Sequence, residues 1–165
     1  MEQKLRQLRE ESLKAIGEVS ALDALEALRV KYLGKKGELT AVLKQMGKLS
    51  AEERPVMGQL ANQIREELTQ AIENGRRTLS EKALEIELLK LHSAIRGAYE
   101  ELAPHRICAY IYDVANAFNH FYHETKILME SDDERKKSYI ALLLLTKGVL
   151  ELCIGLLGFS APERM

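Results

Sequence analysis

Tryptophan is absent from this 165-residue chain, proline occurs three times and cysteine twice. With 46% hydrophobic and 30% charged residues, so little proline argues against both a disordered chain and a fibre. A globular body of this size buries about 68–70% of its unfolded surface and needs no covalent staples. Cys108 and Cys153 stand in apolar runs without CxxC spacing, which predicts buried thiols in a reducing compartment, with no disulfide and no metal site. Strand-like alternation and hairpin dipeptides are missing, which leaves an all-α chain. The charged opening MEQKLRQLREESLK is followed by no apolar stretch, and the longest apolar run, Tyr139 to Thr146, is too short to span a bilayer. No membrane association is therefore expected, and the expected location is cytoplasmic. A net charge of -1 excludes a globally basic protein, so any nucleic-acid surface has to be a local patch.

What is present is helical periodicity. Leu5, Leu8, Ser12, Ala15 and Val19 make a narrow stripe, and Leu22, Leu25, Leu28 and Tyr32 continue it beyond a Ser20–Asp23 capping pattern. Residues 2–33 are read as one long helix or two nearly collinear ones. Gly34-Lys35-Lys36-Gly37 is a turn, followed by a short helix over Leu39, Val42, Leu43 and Met46 that closes at Gly47. Ser50 and Glu53 form a capping pattern, and from Met57 the positions Ala61, Ile64, Leu68, Ala71, Gly75 and Leu79 approximate a heptad seam. The expected product is a long antiparallel two-helix arm with a short elbow helix, spanning 1–82. From 83 to 165 a small helical bundle is expected. Leu84, Leu88, Leu91, Ile95, Ala98 and Leu102 line one helix that stops before Pro104. Ile107, Cys108, Ile111, Val114, Ala115, Phe118 and either Phe121 or Tyr122 line a second, with Tyr112 also placed in the core. Ser131 and Glu134 cap a third that runs to Gly158; being apolar all round, it is expected to be the central, most buried helix.

Two surfaces have the chemistry of RNA contacts. Arg29, Lys31, Lys35, Lys36, Lys44 and Lys48 face a single acidic residue, Glu38, around the elbow. Such cations suit phosphates, which position RNA without reading its sequence; the bland alternative is a solvated charge run. In the second half, Arg106, Tyr110, Asn116, Asn119 and His123 offer a ring, amides and an imidazole to unstacked bases. His120, His123 and Glu124 have helical spacing but no fourth metal ligand, and no metal or other cofactor is expected. No nucleophile, base and orienting group can be assembled from spacing, and GKKG is not a P-loop, so no catalytic residue is assigned and no enzymatic activity is expected.

Within residues 28–75, the strings YLGKKGELT and MGKLSAEERP resemble the N-terminal domain of the bacterial phenylalanyl-tRNA synthetase alpha subunit. That resemblance implies a helical coiled arm that contacts the body of tRNA, away from a catalytic domain. Within 99–165, AYEELAPHRICAYIYDVANAFNHFYHETKIL and LLLLTKGVLELCIGLLGFSAPERM resemble the C-terminal part of bacterial arginyl-tRNA synthetase, which implies an all-helical anticodon-binding domain. The catalytic signatures of both families are missing from these residues. The composite implies a non-catalytic tRNA-binding or synthetase-accessory protein. Its alternative is a scaffold subunit whose arm dimerises or binds an aminoacyl-tRNA synthetase.

Overall fold

A computed structural model describes residues 2–45 and 53–160 of the chain. It is all-α: α1 (Glu2–Glu18), α2 (Leu22–Leu33), α3 (Glu38–Lys44), α4 (Glu53–Leu89), α5 (Leu91–Glu100), α6 (His105–Glu124) and α7 (Asp133–Leu156), with a 3-10 turn at Ile127–Met129 and no strand among the described residues. The chain forms two compact units, Met1–Leu79 and Ser80–Met165, with α4 contributing to both.

In the first unit α2 and α4 run antiparallel. Glu26 pairs with Arg76, and a Cβ on Gly75 would sit 3.1 Å from Leu25, while Leu33 shares a cleft with Arg65 and Thr69 nearer the elbow. The elbow helix is α3, as its apolar spacing predicts. The expected single or collinear helix over 2–33 is not found. Were α1 collinear with α2, Arg9 would lie roughly 25 Å beyond Glu26 at 1.5 Å per residue. Instead Arg9 pairs with Glu67, and α1 packs against both α2 and α3, so the chain reverses at residues 19–21. The break carries no side-chain cap: Ala21, not Ser20, occupies the N-cap position.

Leu5, Leu8, Ile16, Leu25, Tyr32, Leu39, Ala61, Ile64, Leu68 and Ile72 form one core. Ser12 is also fully buried and is accommodated because its hydroxyl donates to the Leu8 carbonyl at 2.6 Å. Pro55 falls in the first turn of the 37-residue α4, where a missing N–H costs nothing, and the helix runs on from there without interruption. The predicted elements at Met46, Gly47 and Ser50 lie outside the described residues.

The second unit encloses Leu84, Leu88, Ala98, Ile107, Tyr110, Val114, Phe121, Ile127, Tyr139, Val149 and Cys153. Phe121 and Tyr139 meet edge to face, with ring centroids 5.7 Å apart. The stripe expected to run unbroken from Leu84 breaks at Lys90, between α4 and α5. Leu102 leaves that stripe altogether: it adopts a left-handed φ of 50° beyond the end of α5 and is exposed, while Ala103 N–H closes the helix onto the Ala98 carbonyl. Gly158 plays the same part after α7 with φ 80°, and Phe159 N–H reaches the Ile154 carbonyl. The N-cap of α7 is Asp132, not Ser131; its carboxylate accepts from the N–H groups of Glu134 and Arg135. Cys153 is buried as expected, but Cys108 is exposed, because the buried face of α6 follows Ile107, Tyr110, Val114 and Phe121. Tyr112 likewise lies outside.

The expectation for α7 needs the largest correction. Tyr139, Thr146, Val149 and Cys153 enter the core, but Ile140, Leu144, Leu145, Leu152 and Leu156 are exposed. The helix is at the edge of the unit because the other helices cover only one of its sides. Read beyond its eight-residue apolar run, the 24-residue α7 is also long and apolar enough to cross a membrane by length and composition. It carries Lys147 and Glu151 one turn apart, paired at 3.6 Å.

Candidate nucleic-acid interface

The elbow is closed by backbone. Gly34 N–H donates to the Val30 carbonyl at 3.0 Å, Gly37 N–H to that of Gly34 at 2.8 Å, and the Thr40 hydroxyl to the Gly34 carbonyl at 3.1 Å. A Cβ at Gly34 would fall 2.3 Å from the Val30 oxygen, and one at Gly37 2.7 Å from that of Tyr32, so both positions require glycine. This tight reversal presents Lys35 and Lys36 to solvent.

Beside the turn lies a cleft of about 550 Å³ whose walls include Arg29, Lys35, Thr40, Arg65, Thr69 and Arg76, with Glu73 as an acidic counterpart. Arg65, Thr69 and Arg76 come from α4, the other two arginine-bearing and lysine-bearing walls from α2 and the turn. Glu26 holds two of the cations. It accepts from Arg29 Nε at 2.6 Å and pairs with Arg76, and the hydrogen bond from Arg29 keeps its carboxyl below the usual range. Arg65 and Lys35 make no ion pair among the described residues. The cleft thus combines two cations fixed by a buttressing carboxylate with two that are free to meet an anion, and two hydroxyls whose protons are already given to the Gly34 and Arg65 carbonyls.

The remaining predicted cations are dispersed. Lys31 is engaged: its ammonium donates to the Tyr32 hydroxyl at 3.4 Å, lies 4.9 Å from the Tyr32 ring centroid and pairs with Glu38 at 3.6 Å, which together raise its pKa. Lys36 and Lys44 are exposed and are not among the walls of the cleft. Lys48 lies outside the described residues. Arg65, Thr69 and Arg76 were missed by sequence reasoning. They recur at four- and seven-residue steps around Ile72, so a polar stripe bordering the apolar seam was the available signal.

On α6 of the second unit, Asn116, Asn119 and His123 are exposed on one face, and Tyr112, 68% exposed, stands in line with them at helical spacing. Tyr110 does not join this surface. It is 5% exposed, its hydroxyl donates to the Leu88 carbonyl at 3.3 Å, and burial pushes its pKa up to about 12. Tyr112 is therefore the aromatic that α6 presents. Arg106 makes a two-pronged pair with Glu101, at 2.7 and 2.6 Å, and lies along Gly97. His123 sits 3.4 Å from Glu124. Among the described residues no group of three or more His, Cys, Asp and Glu side chains is placed to hold a metal ion.

Comparison with known proteins gives a class for part of the chain. Residues 20–88 match the family described as aminoacyl tRNA synthetase class II, N-terminal domain, and are homologous to the alpha-subunit domains of those enzymes. Among individual proteins, 85 residues are 64% identical to an arginine–tRNA ligase of Agathobacter rectalis, covering 52% of this chain and 14% of the relative. The phenylalanine–tRNA ligase alpha subunit of Natranaerobius thermophilus is 52% identical over 85 residues, covering 52% of this chain and 25% of the relative. That of Bacillus subtilis is 49% identical over 88 residues, covering 53% and 26%. This chain therefore spans a quarter or less of the length of the first two relatives. No solved structure matches.

Proposed function

We propose that this chain is a non-catalytic tRNA-binding or synthetase-accessory protein that joins a phenylalanyl-type arm, residues 1–82, to a segment of arginyl-type anticodon-binding bundle, residues 83–165. The elbow cleft carries the reading. It places four cationic side chains and two hydroxyls around one depression in a segment homologous to a synthetase N-terminal domain. A-form RNA is bound chiefly through phosphates, 2′-hydroxyls and shape, and the cationic side chains of the cleft supply donors for the first two without needing to read bases. Two further findings support the composite. Similarity to two different ligases, each over about half of the chain, fits two joined pieces. The exposed Tyr112, Asn116, Asn119 and His123 fit contacts to an unstacked loop.

The scaffold alternative assigned partner binding to the apolar stripe of the arm. Leu5, Leu25, Ile64 and Leu68 are at 0% exposure within the first unit, so that stripe is already covered. Replacing Lys35 and Arg65 together by alanine is expected to weaken association with bulk tRNA and to lower the slope of log affinity against log salt by about two. Fluorescence anisotropy over a salt series measures both. An unchanged affinity and slope would remove the cleft from the reading.

A further inference from the structure

The uncovered side of α7 is more than an apolar surplus, because its residues are arranged symmetrically about one position. Gly148 stands at the centre. Four residues to either side are Leu144 and Leu152, seven to either side Ala141 and Gly155, and eight to either side Ile140 and Leu156. All seven are exposed, the four large ones by between 44% and 66%. Helical geometry puts them in a single sector, with the small residues along its midline and the branched ones on its shoulders. A Cβ added at Gly148 or at Gly155 would meet nothing within 4 Å, so the midline is open to another backbone.

We propose that two copies of the chain pair through this face, with their α7 helices antiparallel and Gly148 on the two-fold axis. A two-fold contact requires one surface to complement itself. About Gly148 that condition is met by the positions four, seven and eight residues away, while three residues away Leu145 comes level with Glu151. Leu144 of one copy comes level with Leu152 of the other, and Ile140 with Leu156. Ala141 comes level with Gly155, leaving room for the leucines on either side. Close approach at Gly148 lets the shoulders interlock in the way small residues permit between packed helices.

The extent of the surface agrees. With Leu145, the exposed side chains of α7 offer on the order of 500 Å², already the largest patch a typical monomer shows. Ile86 and Leu89 lie at the near end of α4, and a cavity of about 420 Å³ bordered by Leu89, Leu142 and Leu145 adjoins the face. These carry it toward the roughly 800 Å² per partner of a stable interface. Lys147 lies outside the stripe and Glu151 on its shoulder between Leu144 and Ile140, where Lys147 sits 3.6 Å from it and supplies the countercharge. This pairing uses no residue of the elbow cleft, so it stands or falls separately from RNA binding.

Sedimentation velocity on the full chain across micromolar concentrations is expected to show a dimer. Leu144→Lys and Leu152→Glu are each expected to weaken it about a hundredfold, since each buries two unpaired charges per dimer. An equimolar mixture of the two variants is expected to dimerise again: Lys at 144 meets Glu at 152 in one half of the interface, and Leu meets Leu in the other. Unchanged far-UV circular dichroism of the variants confirms that they fold. A wild-type monomer throughout, a dimer indifferent to both substitutions, or mixing without rescue would overturn the proposal. A monomer that floats with phosphatidylcholine vesicles would overturn it in favour of a lipid surface.

Discussion

In the first unit Leu5, Leu25, Ile64 and Leu68 have no exposed area, whereas α7 in the second leaves Leu144 66% and Leu145 56% exposed. The second region is the more apolar of the two by sequence. What also differs is the number of neighbours available to each apolar face. Chain reversal at 19–21 gives α4 both α1 and α2 as neighbours, through the Arg9–Glu67 and Glu26–Arg76 pairs, and the apolar stripes of all three converge on one core. Among the described residues the second unit sets α5, α6, the 3-10 turn at Ile127–Met129 and the end of α4 against α7, and α7 is apolar on more sides than they occupy. The first unit consequently presents charge to solvent and the second presents leucine. Under the two proposals, polyanion recognition falls to one region and self-association to the other.

The largest expected effect tests the contrast in stability. Leu68→Ala empties a fully buried site and is expected to cost about 2–5 kcal/mol, while Leu152→Ala on the exposed side of α7 is expected to cost less than about 1 kcal/mol in dilute protein. Chemical denaturation followed by circular dichroism measures both, and equal costs would abolish the distinction. Next comes a pH dependence confined to the second unit. The Tyr110 pKa rises from 10.0 to about 12, so the folded protein keeps its phenol protonated where the unfolded chain loses the proton. Its stabilising contribution is full below pH 10 and falls away between pH 10 and 12, by about 2–3 kcal/mol. Tyr110→Phe is expected to remove that part of the alkaline decline in a melting series. Smallest is the cap: Asp132→Ala is expected to destabilise α7 by about 1 kcal/mol, measured as a lower melting temperature, because two first-turn N–H groups lose their acceptor.

Much of the fold was legible because the helical period is local information. The short elbow helix, the long helix read from Met57, which in fact begins at Glu53, the glycine turn at 34–37 and the close at Gly158 all follow from residues within a few positions of one another. Direction was not legible at 19–21, where Ser20 and Asp23 suggest a helix start but say nothing about the angle of the next helix. Coverage was not legible in α7 either, since an all-round apolar pattern states what a helix tolerates, not how many helices surround it. The site was read by halves. Arg29 and Lys35 were found by local charge density, but Arg65 and Arg76 join them only through antiparallel pairing of distant segments. On α6 a difference of two residues decided between Tyr110, turned inward, and Tyr112, turned outward.

The two cysteines give the second unit a built-in gauge of its own opening. The thiol of Cys108 stands in solvent, while that of Cys153 is fully enclosed and its pKa is raised by burial. An alkylating reagent should therefore consume one equivalent promptly and the second only as fast as the helices part. Timed mass spectrometry of the untouched sequence would then yield an opening rate without any introduced probe.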